Sequence, residues 1–383
     1  MVGFFTSPRV AWGPGAVEQL SGLGARRALV VVDSAVAAHR GQRRVEEELA
    51  KSETTVEVVA AGPHPERAAS VTELAKKMSD FAPDWLVAIG GGRTLDGAKA
   101  ARLVHEQPDL SLASPPPVLE MPDVPRCRLV AIPTTNGSGS EATCTVDLTS
   151  DGGEPFELTH RSLAPEWAVV DVAFAGTLPA ELWRDGGVQA LAQAVEAYVS
   201  AWSNPWSNAL AISATRTVVE RLPHALKWSD DPEAKEELVY AGTLAGLAAS
   251  NAARGVAHAL ARALVVPSGL PYGRLVGLLL PSVLEFDHPS SRDPLETLGG
   301  IVRRADEATP VPIGARVRKL YESVRAPADL KSAGAPVEKL REETKTIAAR
   351  ALRLPGVLAN PRVPSAADLE ALLTTALNGT ASR

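Results

Sequence analysis

Short apolar runs alternate with amphipathic segments along the first 170 residues of the chain. The strand-like runs, rich in Val, Ile, Leu and Ala, fall at 28–33, 55–60, 85–89, 129–132 and 167–171. Segments with helical spacing of apolar residues fall at 16–23, 42–51 and 68–81. Continuous apolar strands separated by helices are typical of parallel sheets that are covered on both faces. The pattern therefore predicts an α/β fold with a doubly wound parallel sheet.

Three further segments complete this half. Residues 4–12 alternate weakly and precede Gly13-Pro14-Gly15, which predicts a short strand and a turn. Residues 108–125 are rich in proline and lack periodicity, which favours a surface loop. Residues 144–149 and 155–159 flank a polar, glycine-containing turn and predict a hairpin.

The pattern changes after Leu178-Pro179. Helical spacing with many alanines continues to the C-terminus, and we expect it to be interrupted at Pro205, Pro223, Pro267 and Pro271. A chain of 383 residues exceeds the usual size of a single core. We therefore predict an α/β domain over 1–175 and an all-α domain over 176–383.

Composition narrows the class of partner. The formal charge is −6, and no block of Lys and Arg suggests a nucleic-acid or membrane footprint, so the expected partner is a small molecule. Cys127 and Cys144 are too few for a disulfide framework and are predicted to be buried thiols. The first residues lack a basic, then apolar, signal pattern, and no apolar run reaches about 18 residues. These features predict a cytoplasmic protein.

A glycine-rich turn follows the run at 85–89. Gly90-Gly91-Gly92-Arg93 opens a helix that carries Asp96 and Lys99. Glycines at such a turn let the backbone approach a pyrophosphate, and the start of the helix favours an anion. An ordinary tight turn is the alternative. Arg93 either adds charge at the phosphates or is an exposed arginine at a helix start.

Asp33 ends the first parallel strand. A carboxylate at this position can accept hydrogen bonds from a ribose 2′-hydroxyl and repel a 2′-phosphate, which favours NAD(H) over NADP(H). The alternative is an aspartate that caps the next helix.

A second polar turn follows the run at 129–132. It reads Pro133-Thr134-Thr135-Asn136-Gly137-Ser138-Gly-Ser-Glu141, and its hydroxyl and backbone N–H groups suit a nucleotide. An ordinary Ser/Thr turn is the alternative for this segment taken alone.

Polar side chains recur at helical spacing in the second half. His258 and Arg262 lie four residues apart in an alanine-rich segment, and Tyr272 stands between Pro271 and Gly273. Gln189, Gln193 and Glu196 share one face of another helix. Each set is either a satisfied structural network, or a solvated face in the case of the glutamines, or part of an active site.

Together these motifs resemble the iron-containing alcohol dehydrogenase family. The resemblance also includes signatures spread along the chain: Val10–Ala16, Val170-Asp171, Leu178-Pro179, Glu196-Ala-Tyr198, Ser203-Asn204-Pro205 and Asn360-Pro361-Arg362. It implies the dehydroquinate synthase-like architecture, an N-terminal dinucleotide-binding domain followed by a helical domain, with a cleft between them. It also implies hydride transfer between a nicotinamide and an alcohol or aldehyde, and often a homodimer formed through the N-terminal strand.

The family's metal positions are the main departure. An Asp and three His hold iron or zinc in the family, and the resemblance places these ligands at Gln189, Gln193, His258 and Tyr272. Arg262 replaces a further family histidine near the nicotinamide. Because neutral amides and a phenol are poor ligands for a divalent ion, we predict that no catalytic metal is bound.

The nucleotide half follows the family closely. The resemblance implies cofactor contacts at Asp33, His64, Gly91, Gly92, Arg93, Asp96, Thr134, Thr135, Asn136, Gly137 and Ser138. Arg93 replaces a Ser and His64 replaces an Asn, two changes that can alter cofactor affinity or the tolerance of a 2′-phosphate. NAD(H) is the predicted cofactor, with NADP(H) as the alternative.

The favoured function is an NAD(P)-dependent alcohol dehydrogenase or carbonyl reductase that works without a metal. Tyr272 is the candidate proton donor, Arg262 favours its phenolate, His258 orients or relays, and Gln189 and Gln193 donate hydrogen bonds. As alternatives to this role, Arg262 binds an anionic group of the substrate or forms an ion pair with Glu196 or Glu285. A non-redox lyase or cyclase and a nucleotide-binding pseudoenzyme are the other hypotheses.

Overall fold

The computed structural model describes residues 4–33, 38–112, 125–176, 178–302 and 311–379. The chain divides into two compact units, Met1–Leu178 and Pro179–Arg383. Most of the segment predicted as a proline-rich loop, residues 113–124, lies outside the described residues.

The first unit contains a parallel sheet built on the predicted apolar runs. Its described strands are β1 (Arg9–Trp12), β2 (Arg27–Asp33), β3 (Thr55–Ala61), β4 (Trp85–Gly90), β5 (Arg128–Pro133) and β8 (Trp167–Val170). They are arranged in the order β1-β8-β5-β4-β2-β3, and every pairing is parallel. The helices are α1 (Ala38–Ala50), α2 (Ala68–Phe81) and α3 (Gly92–Glu106). The predicted hairpin forms a separate pair, β6 (Thr145–Thr149) and β7 (Pro155–Thr159).

Alternate residues of each strand enter two cores. Leu29 and Val31 pack in the core that includes Val71 of α2 and Leu95 of α3. On the opposite face, Val30 and its neighbours pack in the core that includes Val45 of α1. Because both faces of the central strands β2, β4 and β5 are covered, their buried residues are apolar, as the sequence pattern predicted.

The order of the strands places a topological switch point between β2 and β4. From β2 the chain moves outward to β3, and it then returns to β4 on the other side of β2. The carboxyl ends of the two central strands are Asp33 and Gly90. In open α/β sheets ligands bind at such a point, so the fold brings the predicted nucleotide residues to the expected edge.

Two predicted details of this unit differ from the structure. The first strand covers only Arg9–Trp12 instead of residues 4–12, and Ala16–Gly22 forms a 3-10 helix. The turn before that 3-10 helix is held by a residue far away in the sequence. The carboxylate of Asp171 accepts a hydrogen bond of 2.9 Å from the backbone N–H of Gly15.

The second unit is helical throughout its described residues. Its helices are α4 (Ala180–Val199), α5 (Pro205–Lys227), α6 (Pro232–Ala252), α7 (Val256–Ser268), α8 (Tyr272–Asp287), α9 (Arg292–Val302), α10 (Ile313–Ser323), α11 (Val337–Glu342), α12 (Thr344–Leu352), α13 (Gly356–Ala359) and α14 (Ala366–Asn378). Local signals start several of them: Asn204 and Ser207 form a capping box at α5, and Asp231 caps α6. The α/β-then-helical fold class predicted from the sequence is confirmed.

The proline predictions were correct at two positions and wrong at two. Pro205 begins α5 and Pro271 precedes α8. Pro223 and Pro267 do not interrupt a helix but lie inside α5 and α7. Each lies near the C-terminal end of its helix, where packing of α5 on α4 and α6, and of α7 on α8, outweighs the loss of one backbone hydrogen bond. The two cysteines are buried and do not form a disulfide with each other, as predicted.

Candidate functional site

The two polar turns of the first unit pack directly on each other. A Cβ placed on Gly92 would lie 2.8 Å from Cβ of Ser138, and one placed on Gly91 would lie 3.3 Å from Cγ2 of Thr135. The backbone N–H of Thr134 donates to the carbonyl of Gly90 at 3.0 Å. These distances leave no room for a side chain on Gly92, so the approach of the two turns requires glycine there.

The start of α3 is open for an anion. Gly91 precedes the helix in an extended conformation and supplies no side-chain cap. Gly91 and Gly92 are partly exposed, and so are Thr135 and Ser138, while Thr134, Asn136 and Gly137 are buried. The turn thus presents helix-start N–H groups and two hydroxyls together, which is the chemistry of a phosphate cradle.

Asp33 lies at the same edge of the sheet. Oγ1 of Thr94 in α3 donates to Oδ2 of Asp33 at 3.2 Å, which holds the carboxylate beside the glycine turn. The alternative role of Asp33, as a cap of the next helix, concerns residues 34–37, which lie outside the described part of the chain.

Asp96 is buried beneath the second turn. Its Oδ1 accepts hydrogen bonds from Oγ of Ser140 and, at 3.3 Å, from Nζ of Lys99. Its Oδ2 accepts the backbone N–H of Asp147 at 3.2 Å. Both carboxylate oxygens therefore have protein partners, and these contacts anchor the second turn to α3.

His64 and Arg93 lie on either side of a buried carboxylate. Oε1 of Glu66 is 3.8 Å from Nδ1 of His64 and 3.9 Å from Nη1 of Arg93. Both basic side chains are about half exposed or more, whereas Glu66 is buried. Nη1 of Arg93 is also 3.4 Å from the carbonyl of Pro63. Glu66, which the sequence reasoning did not single out, thus holds the two basic residues together near the start of α3.

In the second unit, one face of α4 carries a buried polar stripe. Its members are Asp185, Gln189, Gln193 and Glu196, spaced so that they lie in a row along the helix. Gln193 and Glu196 are at most 1% exposed and Asp185 is 5% exposed. The interpretation of this face as solvated is therefore wrong at Gln193, which is buried because neighbouring helices pack against α4, whereas Gln189 is partly exposed.

His258 is attached to this stripe by a carboxylate. Nδ1 of His258 hydrogen-bonds to Oε2 of Glu196, and both side chains are buried. The ring of Tyr272 meets the His258 ring edge-on, with centroids 5.9 Å apart and an interplanar angle of 67°. A Cβ on Gly273 would lie 3.1 Å from Oε1 of Gln189, so the start of α8 also contacts the stripe. The fold thus gathers four of the five predicted catalytic residues.

Arg262 follows His258 by one turn of α7 and is 8% exposed. The glutamates proposed as its ion-pair partners have other contacts. Glu196 binds His258 and backbone N–H groups. Glu285 binds Nη1 of Arg318.

An ion pair ties the other end of the stripe to α8. Oδ2 of Asp185 accepts from Nη2 and Nε of Arg274 at 2.9 and 3.1 Å, and Oδ1 accepts from Nε of Arg184 at 3.3 Å. Arg274 follows Tyr272 by two residues, so this pair fixes the beginning of α8. The sequence reasoning did not identify it, because the partners lie 89 residues apart.

The signature residue Asn360 has a structural role beside His258. Its Oδ1 accepts the backbone N–H of Val256 at 3.2 Å, and its Nδ2 donates to Oδ1 of Asp287 at 2.6 Å. Burial raises the pKa of Asp287 to about 7, while the Asn360 bond opposes this rise and the charge of Glu196 adds to it. Asn360 therefore links the start of α7 to the end of α8.

The described residues lack both a cluster of metal ligands and a membrane-spanning helix. No three His, Cys, Asp or Glu side chains in the described ranges stand close enough to hold a metal ion together. No helix in the same ranges is both long and apolar enough to cross a membrane.

The fold and the two residue sets define a class of protein: a parallel α/β unit with two polar turns at one sheet edge, followed by a helical unit with a buried histidine. Residues 7–172 match the model of iron-containing alcohol dehydrogenases, and residues 184–377 match the C-terminal model of the Fe-containing alcohol dehydrogenase family. The chain belongs to the iron-containing alcohol dehydrogenase family of oxidoreductases.

Individual relatives agree with this assignment. The chain is 27% identical to the NADPH-dependent butanol dehydrogenase of Clostridium saccharobutylicum over 98% of both chains. It is 34% identical to the probable alcohol dehydrogenase EutG of Escherichia coli over 57% of this chain and 55% of that protein. Among solved structures, the iron-containing alcohol dehydrogenase of Thermococcus thioreducens matches with a TM-score of 0.88 and 28% identity, covering 98% of this chain and all of that one.

Proposed function

We propose that this protein is an NAD(H)-dependent alcohol dehydrogenase or carbonyl reductase that transfers a hydride between a nicotinamide and a small alcohol, aldehyde or ketone. The observation that carries the proposal is the close packing of Gly92 on Ser138 beside Asp33, which makes a cradle for a dinucleotide. Relatives named as NADPH-dependent butanol dehydrogenase and probable alcohol dehydrogenase support nicotinamide redox chemistry.

The residues of the first unit fit this cofactor. The N–H groups at Gly91 and Gly92 and the hydroxyls of Thr135 and Ser138 would hold the pyrophosphate. Asp33 would accept the ribose hydroxyl and repel a 2′-phosphate, which favours NAD(H). The carboxylate of Glu66 lies 3.9 Å from Arg93 and 3.8 Å from His64. It weakens the attraction of these two side chains for a 2′-phosphate, so NADPH is the weaker substrate. When bound, the cofactor supplies the hydride.

We propose that catalysis does not use the family's metal. The positions that correspond to its ligands offer one imidazole, His258, with two amides and a phenol. Gln189 and Gln193 carry no charge to offset that of a divalent ion. The carboxylate of Glu196 on the same helix is engaged by the backbone N–H groups of Gly255 and Ala257 and by the His258 ring. This donor set does not fit iron or zinc.

Tyr272 is the proposed proton donor. In the reduction direction its hydroxyl gives a proton to the oxygen on which negative charge develops, and the amides of Gln189 and Gln193 donate hydrogen bonds to that oxygen. The edge-on contact with His258 holds the phenol ring at the stripe. Arg262, buried one turn beyond His258, favours the phenolate or binds an anionic group of the substrate.

The predicted protein partner is a second copy of the chain. We propose a homodimer formed along β1, whose outer edge pairs with no other described strand and whose last residue, Trp12, is 69% exposed. Light scattering on the purified protein tests this, and a monomeric mass would contradict it.

The test of the function combines elemental mass spectrometry, NADH binding and NADH oxidation with a panel of aldehydes and ketones on one purified sample. We expect NADH binding, turnover and less than about 0.1 metal ion per chain. Stoichiometric iron or zinc would contradict metal independence. Product formed without net NADH oxidation would indicate a lyase or cyclase, and failure to bind NADH would indicate a pseudoenzyme.

A further inference from the structure

Glu196 lies at the centre of a compact set of donors. Its Oε1 accepts the backbone N–H of Ala257 at 2.6 Å, and its Oε2 accepts that of Gly255 at 3.0 Å. Oε2 also hydrogen-bonds to Nδ1 of His258. The side chain is 1% exposed. Three N–H groups are thus directed at one buried carboxylate, and both of its oxygens act as hydrogen-bond acceptors.

The hydrogen bond to Glu196 determines which ring nitrogen of His258 carries the proton. A carboxylate accepts hydrogen bonds and cannot donate them, so Nδ1 must be the protonated nitrogen. The lone pair is then on Nε2. This atom is buried and has no hydrogen-bond partner among the described residues. A buried polar atom without a partner lowers the stability of the fold. Such an atom is typical of a side chain that is kept for its function.

The surroundings prevent the imidazole from turning away. Gly255 admits the carboxylate, since a Cβ there would lie 2.9 Å from Oε1 of Glu196. The N–H of Val256 is bound by Asn360, so the backbone of the first turn of α7 is fixed by two side chains from outside the helix. The edge of Tyr272 packs on the His258 ring. The direction of Nε2 is therefore set before any ligand binds.

We infer that Glu196 is a positioning residue that holds His258 with Nδ1 protonated, so that Nε2 serves the proton step of the proposed reaction. In alcohol oxidation, Tyr272 accepts the proton of the substrate hydroxyl and passes its own proton to Nε2 of His258. The nicotinamide, when bound, would take up the hydride from the carbon that bears this hydroxyl. The proton is then held on the His258 ring, whose other nitrogen stays hydrogen-bonded to Glu196. In reduction each transfer runs in reverse. The inference rests on the proposed function and assigns a role to a residue that acts only through His258.

The test is Glu196→Gln in the full-length protein. A glutamine amide can donate to Nδ1, which would move the proton of His258 to Nε2. We expect the ¹⁵N shifts of the His258 ring to exchange their pattern between the two nitrogens, kcat to fall at least about 100-fold, and the KM for NADH to change less than about threefold. Unchanged ring shifts would overturn the assignment, and so would exchanged shifts with an unchanged kcat.

Two control variants separate positioning from general damage. Glu106→Gln removes a buried carboxylate that accepts the N–H of Cys127 in the first unit, and kcat should stay within about twofold. Asn360→Ala removes the other support of α7 without touching His258, so we expect a lower Tm and unchanged ring shifts. A change in ring shifts in Asn360→Ala as large as in Glu196→Gln would overturn the specific role of Glu196.

The spectroscopic measurement does not depend on turnover. If no substrate is reduced, the proposed function fails, while the ring shifts still decide whether Glu196 sets the tautomer. If turnover is found and the shifts do not respond to Glu196→Gln, the inference fails and the proposed function stands.

Discussion

Gly92 and Ser138 are so close that a Cβ on the glycine would lie 2.8 Å from Cβ of the serine. The two residues begin α3 and follow β5, at neighbouring carboxyl ends of the sheet. Their contact joins two turns that are 46 residues apart in the sequence into one surface. The nucleotide site proposed here depends on that contact.

Gly92→Ala should therefore separate the two turns. We expect the Kd for NADH, measured by fluorescence titration, to rise about tenfold or more, because the added methyl group displaces the N–H groups of the cradle. Gly22→Ala in the same unit is the matched control, since a Cβ there meets nothing within 4 Å. Equal NADH affinity in both variants would contradict the assignment of this turn to the cofactor.

Asp33→Asn should change the choice of cofactor. Removing the charge at the end of β2 removes repulsion of a 2′-phosphate, so the ratio of kcat/KM for NADPH to that for NADH should rise about tenfold or more. The control is Glu57→Gln on β3, which removes an exposed charge opposite Leu29 in the sheet. A ratio that moves equally in both variants would indicate a general effect of net charge.

Tyr272→Phe should abolish most turnover while leaving the binding of NADH unchanged. Loss of a general acid lowers kcat by about 10²–10⁴-fold. Tyr321→Phe deletes the same hydroxyl from α10, where the oxygen is buried and has no hydrogen-bond partner in the described ranges. The Tyr321 variant should keep its activity and its stability. Wild-type turnover in Tyr272→Phe would exclude the proposed donor.

The pKa of Asp287, which burial raises to about 7, makes folding stability depend on pH. The folded protein holds the carboxyl proton up to about pH 7, whereas an unfolded aspartate loses it near 3.8. The contribution of Asp287 to stability is thus fully present below about pH 4 and should be lost as the pH rises to about 7, a loss of at most about 4 kcal/mol.

Urea denaturation at pH 5, 6, 7 and 8 measures this dependence. Asp287→Asn mimics the neutral acid and should be more stable than the wild type at pH 8, with a flatter profile between pH 5 and 7. Asp80→Asn, at an exposed position of α2, should keep the wild-type profile. A wild-type slope that survives in Asp287→Asn would assign the dependence to another group.

The predictions from sequence succeeded where the signal was local. Apolar runs found the central strands to within one residue, and the glycines at 90–92 marked the turn from β4 to α3. They failed at Pro223 and Pro267, where the local rule for proline was overridden by helix packing. The glutamine stripe was undecided for a related reason: the spacing gives a face, but only neighbouring helices determine whether that face is buried.

The sequence by itself determined the order in which strands and helices follow one another along the chain, the positions of the two polar turns and the identity of the family. Periodicity and glycine placement act over a few residues, so they can be read along the chain. The tertiary structure alone decided that Glu196 meets His258, that Asp185 meets Arg274 and that Ser138 closes on Gly92. Each of these pairs joins residues that are 46 to 89 positions apart, and such contacts arise from the packing of whole elements, which no local pattern records.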